Sequence, residues 1–276
     1  MICGRHRLAL DRPLVMGVVN VTPDSFYDGG RFAEPAAALS RARALLTDGA
    51  DIIDIGGEST RPGAAPTPDA EELARVIPLV ERLREGCDAR GVPISVDTRK
   101  PAVMRAAIAA GASMINDINA LRAPGAIDAI ASSGVQVAVC LMHMKGDPET
   151  MQLGAAYSDV VAEVAAFLAA RATACVGGGI ARERIVVDPG FGFGKTVEHN
   201  LILLRRLDAI VALGYPVLVG LSRKSTIGAL TGRAVSERMA GSVAAALAAV
   251  ARGAMIVRTH DVRETVDALK VWNAIK

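Results

Sequence analysis

The sequence predicts an α/β fold, specifically a (β/α)8 TIM barrel formed by a single domain over residues 1–276. Short apolar runs, typical of strands buried on both faces, alternate with helical patterns along the chain. A glycine shortly precedes most of these runs, as expected where a helix ends and the next strand begins. A length of 276 residues also suits one barrel better than two small domains. A doubly wound open sheet is the alternative architecture.

Eight strands are predicted in chain order, each from a short apolar run. The first is Leu14 to Val19, and the sixth is Ile185 to Val187. The others each follow a glycine and lie within residues 49–55, 91–96, 111–116, 134–139, 214–219 and 253–257. An apolar run that follows a helix-ending glycine is the expected αβ step of a parallel sheet.

Eight helices are predicted from the spacing of apolar residues between and after the strands. They cover approximately residues 35–48, 69–86, 101–110, 124–133, 158–174, 197–213, 236–252 and 262–274. Several have a proline in the first turn, such as Pro35, Pro68 and Pro101, where its missing N–H group leaves no bond unmade. The pattern contains no evident domain boundary or low-complexity linker.

Composition and charge exclude one class of partner. Hydrophobic residues make up 51% of the chain and aromatic residues only 3%, so the core must be aliphatic and rich in alanine. Lys and Arg number 31 against 29 Asp and Glu, which gives a formal net charge of +2. The sequence has no basic run interleaved with aromatic residues. We therefore expect no nucleic-acid partner.

The cysteines and the apolar segments predict a cytoplasmic protein that does not associate with membranes. Cys3, Cys87, Cys140 and Cys175 lie far apart without a C-x-x-C pair, which indicates neither a zinc site nor a disulfide framework. The N-terminus is basic but lacks the apolar segment of a signal peptide. The longest apolar helix is expected at about residues 240–251, which is too short to cross a bilayer.

Polar residues follow nearly every predicted strand. Barrel enzymes place their chemistry at the carboxyl ends of the strands, so these residues are the first candidates for a site. In strand order they are Asn20, Asp54, Asp97, Asn116 with Asp117, His143, Asp188, Ser222 to Lys224, and Arg258 with His260. In a closed barrel they would surround one mouth, where packing alone does not require so many polar groups. We expect His143 and His199 to be structural.

The run from Asp188 to Thr196 is the most informative segment. It joins an apolar strand to a lone carboxylate and then to a glycine-rich loop. A charge at the end of a buried strand needs a partner, and the glycines allow a flat ligand to approach the backbone. The Gly-Lys-Thr end is similar to a P-loop. However, only three residues separate Gly190 from Gly194, where a P-loop has four, so we reject a P-loop here.

Longer motifs recur in one order over nearly the whole chain. They are Asn20 to Gly30, Asp54 to Gly63, Ser95 to Thr98, Ile115 to Asp117, Met142 to Gly146, Asp188 to Asn200, Ser222 to Ser225, and Val257 to Asp261. Together they resemble the dihydropteroate synthase family, the folate-pathway enzymes that sulfonamides inhibit. Such a set is far more specific than a lone motif. Tyr27, Phe191 and Thr259 depart from the residues common in the family, but none is expected to bond a ligand.

The resemblance implies a transferase. In the implied reaction, 7,8-dihydropterin-6-ylmethyl diphosphate and p-aminobenzoate give 7,8-dihydropteroate and pyrophosphate, with Mg²⁺ assisting. A pterin presents several N–H donors beside acceptor atoms, so its site should supply carboxylates and an amide. The resemblance assigns Asp97, Asn116 and Asp188 to the pterin.

The resemblance also implies a cationic site for the diphosphate. Departure of pyrophosphate builds negative charge on the leaving oxygen and positive character on the pterin methylene, so the site needs cations on one side and anions on the other. Arg258, His260 and Asn20 are expected to hold the diphosphate and its metal ion, with Asn20 as the metal ligand. Lys224 is expected to reach toward the pterin.

The p-aminobenzoate pocket should combine donors for a carboxylate with apolar walls. These properties are supplied by Thr60, Arg61, Pro62, Phe193, Ser222 and Lys224. The loops that contain Thr22 and Arg61 are rich in glycine, proline and small polar residues, so we expect them to be mobile. Closure of these loops after the diphosphate has bound would produce ordered binding.

Three residues are expected to be catalytic: Lys224, Asp97 and Asp28. Asp28 is a candidate for sheltering the metal ion or the developing cation. The nucleophile is a neutral arylamine that needs little activation, and no histidine or cysteine is placed as a covalent partner. We therefore expect dissociative substitution at the pterin methylene. Two alternatives stay open: a pterin-dependent methyltransferase domain and a non-catalytic pterin-binding paralogue.

The helix expected at residues 236–252 is apolar on nearly all sides. A surface helix of a monomer would have a polar face, so the sequence predicts a homodimer that uses the last helices. Burial of this helix within the barrel wall is the alternative explanation, because alanine is small.

Overall fold

The strands form one closed barrel and one small hairpin. The structure is a computed structural model and describes residues 1–22, 33–59, 65–146, 151 and 155–275. In chain order the strands are Ile2–Cys3 (β1), His6–Arg7 (β2), Leu14–Asn20 (β3), Ile52–Gly56 (β4), Ile94–Asp97 (β5), Met114–Asp117 (β6), Ala138–Met142 (β7), Ile185–Asp188 (β8), Leu218–Val219 (β9) and Ile256–Thr259 (β10). β1 and β2 pair as an antiparallel hairpin. The other eight strands are parallel and follow the order β8-β7-β6-β5-β4-β3-β10-β9.

The two edges of the eight-stranded sheet meet. Val187 in β8 forms a parallel bridge with Val217, the residue before β9. The Val187 N–H group also donates to the carbonyl of Pro216 at 3.0 Å. These contacts close the sheet, so the predicted TIM barrel is confirmed and the doubly wound alternative is wrong.

The helices follow the strands as the alternating pattern predicts. They are Ala33–Thr47 (α1), Asp69–Ala89 (α2), Pro101–Ala110 (α3), Ala126–Ala131 (α4), Val160–Gly177 (α5), Val197–Arg205 (α6), Asp208–Val211 (α7), Ser225–Thr231 (α8), Met239–Val250 (α9) and Val262–Ile275 (α10). Pro101 is the first residue of α3, whereas Pro68 is the residue before α2. At both positions the helix loses no hydrogen bond, because the backbone N–H group that proline lacks would have no partner within the helix.

The structure differs from the predicted elements in three places. The helix expected at residues 197–213 is two helices, because the chain turns between them and buries Leu207 in the core. α8 was not predicted, and its Ile227 packs against the backbone of α9 at Gly241, where a Cβ atom would lie 2.6 Å away. The N-terminal hairpin was not predicted either, because strands of two residues leave too short a pattern to detect.

The hairpin covers the amino-terminal end of the barrel. Cys3 packs with the side chains that fill the barrel interior, such as Met16, Met114 and Ile256. Its thiol donates to the carbonyl of Ser113 at 3.3 Å. The opposite end, at the carboxyl ends of the strands, carries the polar residues. The fold therefore places the candidate site at a single mouth.

α5 corrects one expectation about apolar helices. It spans 18 residues and is, by length and composition alone, long and apolar enough to cross a membrane. Among the described residues the longest apolar helix is therefore α5 and not the helix expected at about residues 240–251. Val164, Leu168 and Ala172 on this helix are completely buried in the main core, which lies between the strands and the helices. α5 is therefore a helix of the barrel wall in this fold.

Candidate active site

The polar residues predicted at the strand ends lie side by side at one mouth of the barrel. Asn20 pairs in register with Gly56, Gly56 with Asp97, and Asp97 with Asn116. A Cβ atom at Gly56 would lie 3.6 Å from both Asn20 Oδ1 and Asp97 Cβ. The glycine therefore leaves the space between these two polar side chains open.

Arg258 in β10 connects two carboxylates of this mouth. Its Nε donates to Asp54 Oδ2 at 2.7 Å, and its Nη2 donates to Asp97 Oδ2 at 2.8 Å. Asn116 Nδ2 also donates to Asp54 Oδ2, at 3.3 Å. One carboxylate thus holds both a guanidinium and an amide, and four strands contribute to one hydrogen-bond network.

Burial and charge act in opposite directions on this network. Burial lowers the pKa of Arg258, but the negative charges of Asp54 and Asp97 have the larger combined effect, so the pKa of Arg258 is raised overall. Burial raises the pKa of Asp97, and Arg258 opposes that rise. The second oxygen of Asp54, Oδ1, is buried and has no hydrogen-bond partner in the described part of the chain. Arg258 is therefore a permanent cation that its two carboxylates hold in a fixed orientation.

The glycine loop, residues 188–195, leaves β8 at Asp188. The Gly190 N–H group donates to Asp188 Oδ1 at 2.7 Å. Burial raises the pKa of Asp188, while Lys224 and the Gly190 N–H group favour its charged form. Gly190 has φ of 68°, and a Cβ atom there would lie 1.9 Å from the carbonyl oxygen of His143. Only glycine fits this backbone conformation and this close approach.

Lys224 lies against the glycine loop. Its Nζ donates to the carbonyl of Phe191 and lies 4.4 Å from the centre of the Phe193 ring. Burial lowers the pKa of Lys224 to about 8, although Asp188 favours its charged form. At neutral pH this ammonium is charged but loses its proton more readily than an exposed lysine would.

Ser222 and His260 form a pair beside the network. Ser222 Oγ lies 2.9 Å from His260 Nδ1, and the His260 backbone N–H group donates to Ser222 Oγ at 3.2 Å. Arg223 has a left-handed φ of 58° and forms an ion pair with Asp261, which fixes the turn after β9. Burial, and then Arg258, lowers the pKa of His260 to about 4. His260 is therefore neutral at pH 7.

Asn20 is the residue predicted to hold a metal ion. It ends β3 and is half-buried at the mouth. The described residues contain no cluster of three or more His, Cys, Asp or Glu side chains suited to a metal ion. Mg²⁺ commonly keeps waters and substrate phosphates as ligands and needs only one or two protein oxygens. The Asn20 amide oxygen fits an ion of that kind, but the described residues do not fit a metal held by protein side chains alone.

The structure gathers most of the predicted site residues at this mouth. They are Asn20, Asp97, Asn116, Asp188, Phe193, Ser222, Lys224, Arg258 and His260. Three others, Asp28, Thr60 and Arg61, lie outside the described residues, as do most of the two loops expected to be mobile. The predictions for these residues and loops therefore stay predictions.

Asp54 was missed as a site residue, although its place near a strand end was noted. It lies inside β4, completely buried, and accepts from Arg258 and Asn116. A carboxylate flanked by Ile53 and Ile55 within an apolar strand is the signal that could have identified it. Such a residue must have a buried partner.

An apolar cluster borders the same mouth, and sequence reasoning identified only Phe193 of it. Phe193 packs against Ile118, Met142, Met144 and Met151. The flat ring of Phe193 and the polarisable thioethers of the methionines suit the face of a heterocycle. In the sequence these apolar residues are marked only by their position, since several lie at or just after the end of a strand.

Comparisons with known proteins agree with this geometry. A family model described as "Pterin binding enzyme" matches residues 16–260. The dihydropteroate synthase of Neisseria meningitidis serogroup B is 53% identical over 278 residues, covering 99% of this chain and 96% of that protein. The Xanthomonas albilineans dihydropteroate synthase solved with 4-aminobenzoic acid has a TM-score of 0.91 and 55% identity, covering 97% of this chain and 94% of that chain. The same enzyme solved with 7,8-dihydropteroate has a TM-score of 0.87 and 53% identity, covering 97% and 95%. The chain therefore belongs to the pterin-binding enzymes and, within them, to the dihydropteroate synthase family.

Proposed function

We propose that the chain condenses 7,8-dihydropterin-6-ylmethyl diphosphate with p-aminobenzoate, giving 7,8-dihydropteroate and pyrophosphate. The Xanthomonas albilineans relatives were solved with 4-aminobenzoic acid and with 7,8-dihydropteroate, which are the second substrate and the product of this reaction. The observation that carries the proposal is the network in which Arg258 bridges Asp54 and Asp97. It places a permanent cation beside buried acceptors at one mouth.

The pterin would bind on the side of the mouth that is rich in acceptors. Asp97, Asn116 and Asp188 provide carboxylate and amide groups for its ring N–H donors. The free oxygen of Asp54 adds one more buried acceptor beside them. Phe193 and its apolar cluster would cover a face of the ring, and Lys224 would donate to a ring acceptor.

The diphosphate would bind near the turns after β9 and β10. Arg258 supplies a cation, and Ser222 and His260 supply hydrogen-bond donors. Because the pKa of His260 is low, it would meet the ligand as a neutral hydrogen-bond donor. A bound diphosphate would favour the protonated imidazole and raise its pKa.

The chemical step would be a dissociative substitution at the pterin methylene. The methylene carbon–oxygen bond breaks, and its electron pair leaves with pyrophosphate, whose charge Arg258 stabilises. Asp97 stabilises the positive character on the methylene. The amine nitrogen then forms the new carbon–nitrogen bond and releases a proton to solvent. Lys224 and Asp97 touch the reacting ligand in this scheme, and Asp28 stays a candidate for sheltering the cation.

We also propose Mg²⁺ as the metal ion, held through Asn20 and the diphosphate oxygens. When bound, it would neutralise charge that develops on the leaving pyrophosphate. Thr60, Arg61, Phe193, Ser222 and Lys224 remain the proposed surroundings of p-aminobenzoate. The carboxylate of that substrate would accept from their hydroxyl and cationic groups.

A single assay distinguishes this proposal from its alternatives. The purified chain is incubated with the pterin diphosphate, p-aminobenzoate and Mg²⁺, and dihydropteroate and pyrophosphate are quantified. Equal amounts of the two products are expected. Tight pterin binding without turnover would instead support a non-catalytic paralogue, and methyl transfer to a corrinoid protein would support a methyltransferase domain. A covalent adduct with any side chain would contradict the dissociative step.

Further proposals concern organisation and location. We propose a single domain over residues 1–276 that forms a homodimer through its last helices, where Leu230, Val235 and Met239 are exposed apolar side chains. We also propose a cytoplasmic location without a membrane partner. Its support is that all four cysteines are free and buried, as a reducing compartment allows.

A further inference from the structure

Lys195, the last residue of the glycine loop, is almost completely buried and has no role in the proposed chemistry. Only 3% of the residue is exposed. Its Nζ lies 2.9 Å from His143 Nδ1 and donates to the carbonyls of Gly190 at 2.9 Å and Phe193 at 3.0 Å. No carboxylate accepts a hydrogen bond from it in the described part of the chain. A buried ammonium without a carboxylate partner is costly, so its position calls for a function.

The partners of Lys195 come from two different elements. His143 follows β7, whereas the accepting carbonyls of Gly190 and Phe193 belong to the loop after β8. An ammonium has three donors and no acceptor, so it can satisfy several carbonyls at once. Burial, and then Lys195, lowers the pKa of His143 to about 3, which leaves a neutral imidazole that can accept from the ammonium. Lys195 therefore ties the glycine loop to the end of β7.

Lys224 packs against the glycine loop that Lys195 holds in place. The carbonyl of Phe191 and the ring of Phe193, both within the loop, contact Lys224 Nζ. A Cβ atom at Gly192 would lie 3.1 Å from Lys224 Cδ, so the loop also follows the stem of that side chain. A shift of the loop would consequently move the Lys224 ammonium.

Lys195 also affects the charge at Asp188. Its positive charge is among the groups that oppose the burial-induced rise in the pKa of Asp188. Burial lowers the pKa of Lys195 itself to about 7, and Asp188 opposes that change. The protonated form of Lys195 thus stabilises the charged form of Asp188, a proposed pterin ligand.

We propose that Lys195 is a positioning residue for the pterin end of the site, because its ammonium holds the glycine loop against β7 and so fixes Lys224 beside Asp188. The inference rests on the proposed pterin diphosphate substrate. Lys195 touches neither the substrate nor the reacting atoms in this scheme. It acts through the loop backbone and Lys224.

The test compares Lys195→Met with a matched control. Methionine keeps an unbranched, flexible side chain that is one atom shorter, but it has no N–H donors and no charge. The control is Arg182→Met. It also removes a cation that donates to backbone carbonyls, those of Leu213 and Gly214, but at the amino-terminal side of the barrel. Calorimetric titrations without p-aminobenzoate measure the dissociation constants of the pterin diphosphate and of inorganic pyrophosphate, and steady-state assays measure kcat and both KM values.

We expect Lys195→Met to weaken pterin diphosphate binding by at least about tenfold, because the charged hydrogen bonds that position the glycine loop and Lys224 are lost. Pyrophosphate binding should stay within about twofold of the wild type, because these hydrogen bonds act only at the pterin end. Arg182→Met should change neither constant. Lys195→Gln, which keeps an N–H donor, should restore part of the affinity, and it replaces the Met variant if that protein does not fold.

Two results separate failure of this inference from failure of the proposed function. If the wild-type chain forms no dihydropteroate, the proposed function is wrong. If the wild type is active, but folded Lys195→Met or Lys195→Gln loses only thermal stability and binds the pterin diphosphate as the wild type does, Lys195 is purely structural and the inference is overturned. Equal losses of pterin and pyrophosphate affinity would overturn it as well, because the effect would not be confined to the pterin end.

Discussion

Arg258 Nε and Asp54 Oδ2 lie 2.7 Å apart, although the two residues are 204 positions apart in the sequence. The contact joins β10 to β4, which lie on either side of β3 in the barrel. Asp54 is completely buried, while the side chain of Arg258 is 23% exposed and faces the mouth. The pair thus combines a buried carboxylate with a partly exposed cation, and under the proposed function it would fix the position of the cation that binds the diphosphate.

Replacement of Asp54 by asparagine should destabilise the fold and displace Arg258. The partly buried guanidinium would lose one of its two carboxylates at the fully buried Asp54 position, so the free energy of unfolding should fall by about 3 kcal/mol. The KM for the diphosphate substrate should rise, since Arg258 is no longer fixed by Asp54. Urea denaturation and steady-state kinetics measure the two effects. Asp267→Asn, which breaks an exposed pair with Lys270, is the control and should cost less than about 0.5 kcal/mol.

Replacement of Asp188 by asparagine should weaken the binding of the pterin diphosphate by about 10- to 150-fold, the range for losing a hydrogen bond to a charged group. Asparagine has nearly the same shape, but it offers one acceptor oxygen where the carboxylate offers two. Titration calorimetry checks the affinity. Inorganic pyrophosphate should bind as in the wild type, and unchanged pterin affinity would remove Asp188 from the site.

Replacement of Gly190 by alanine should disrupt the glycine loop. The new Cβ atom would meet the His143 carbonyl oxygen at 1.9 Å, in addition to the strain of a left-handed backbone. Gly134→Ala is the matched control, because Gly134 has φ of 69° but nothing within 4 Å of its Cβ position. We expect the control to cost about 1 kcal/mol and Gly190→Ala to cost clearly more, with loss of pterin binding. Equal midpoints in thermal unfolding would contradict this expectation.

His143 should make the protein less stable in acid. Its pKa is about 3 in the folded state, against an ordinary value of 6.5, so between these values the unfolded chain binds more protons. The free energy of unfolding attributable to His143 should therefore fall as pH falls from 6.5, by about 1.4 kcal/mol per pH unit. Denaturant titrations between pH 4 and about 6.5 compare the wild type with His143→Gln, which keeps an acceptor for Lys195. Parallel pH profiles would show that His143 does not contribute.

Replacement of Leu230 by glutamate should separate the proposed homodimer. The side chain is 58% exposed in the single chain and lies near Val235 and Met239 in sequence, at the end of α8 and the start of α9. A charge in an apolar interface is poorly solvated, so the variant should be monomeric at concentrations where the wild type is a dimer. Light scattering gives the mass of both. A wild-type mass of one chain would rule out the dimer.

The alternation of strands and helices made the barrel predictable, because buried parallel strands and amphipathic helices have distinct periods. Position at a strand end alone predicts residues such as Asp97, Asn116 and Asp188 as site candidates. Two-residue strands and the break at Leu207 were not predictable, since tertiary contacts create them and no local pattern marks them.

The site was less predictable than the fold, since side-chain partners come from distant parts of the chain. Nothing near Asp54 in the sequence indicates that Arg258 and Asn116 converge on it. The neutrality of His260 follows from burial and from neighbouring cations, which a sequence does not display. Lys195 was noted only as the end of a rejected P-loop motif, and its contacts with His143 appear only in three dimensions.

Side chains fill the barrel interior and the hairpin formed by β1 and β2 covers its amino-terminal end, so within the described residues the candidate site opens only at the carboxyl ends of the strands. Under the proposed function, reactants and products would share this opening, so the ligand that binds deepest would have to arrive first. Binding and release would then be sequential, and a slowly dissociating ligand at the outer position would trap the ligand bound beneath it.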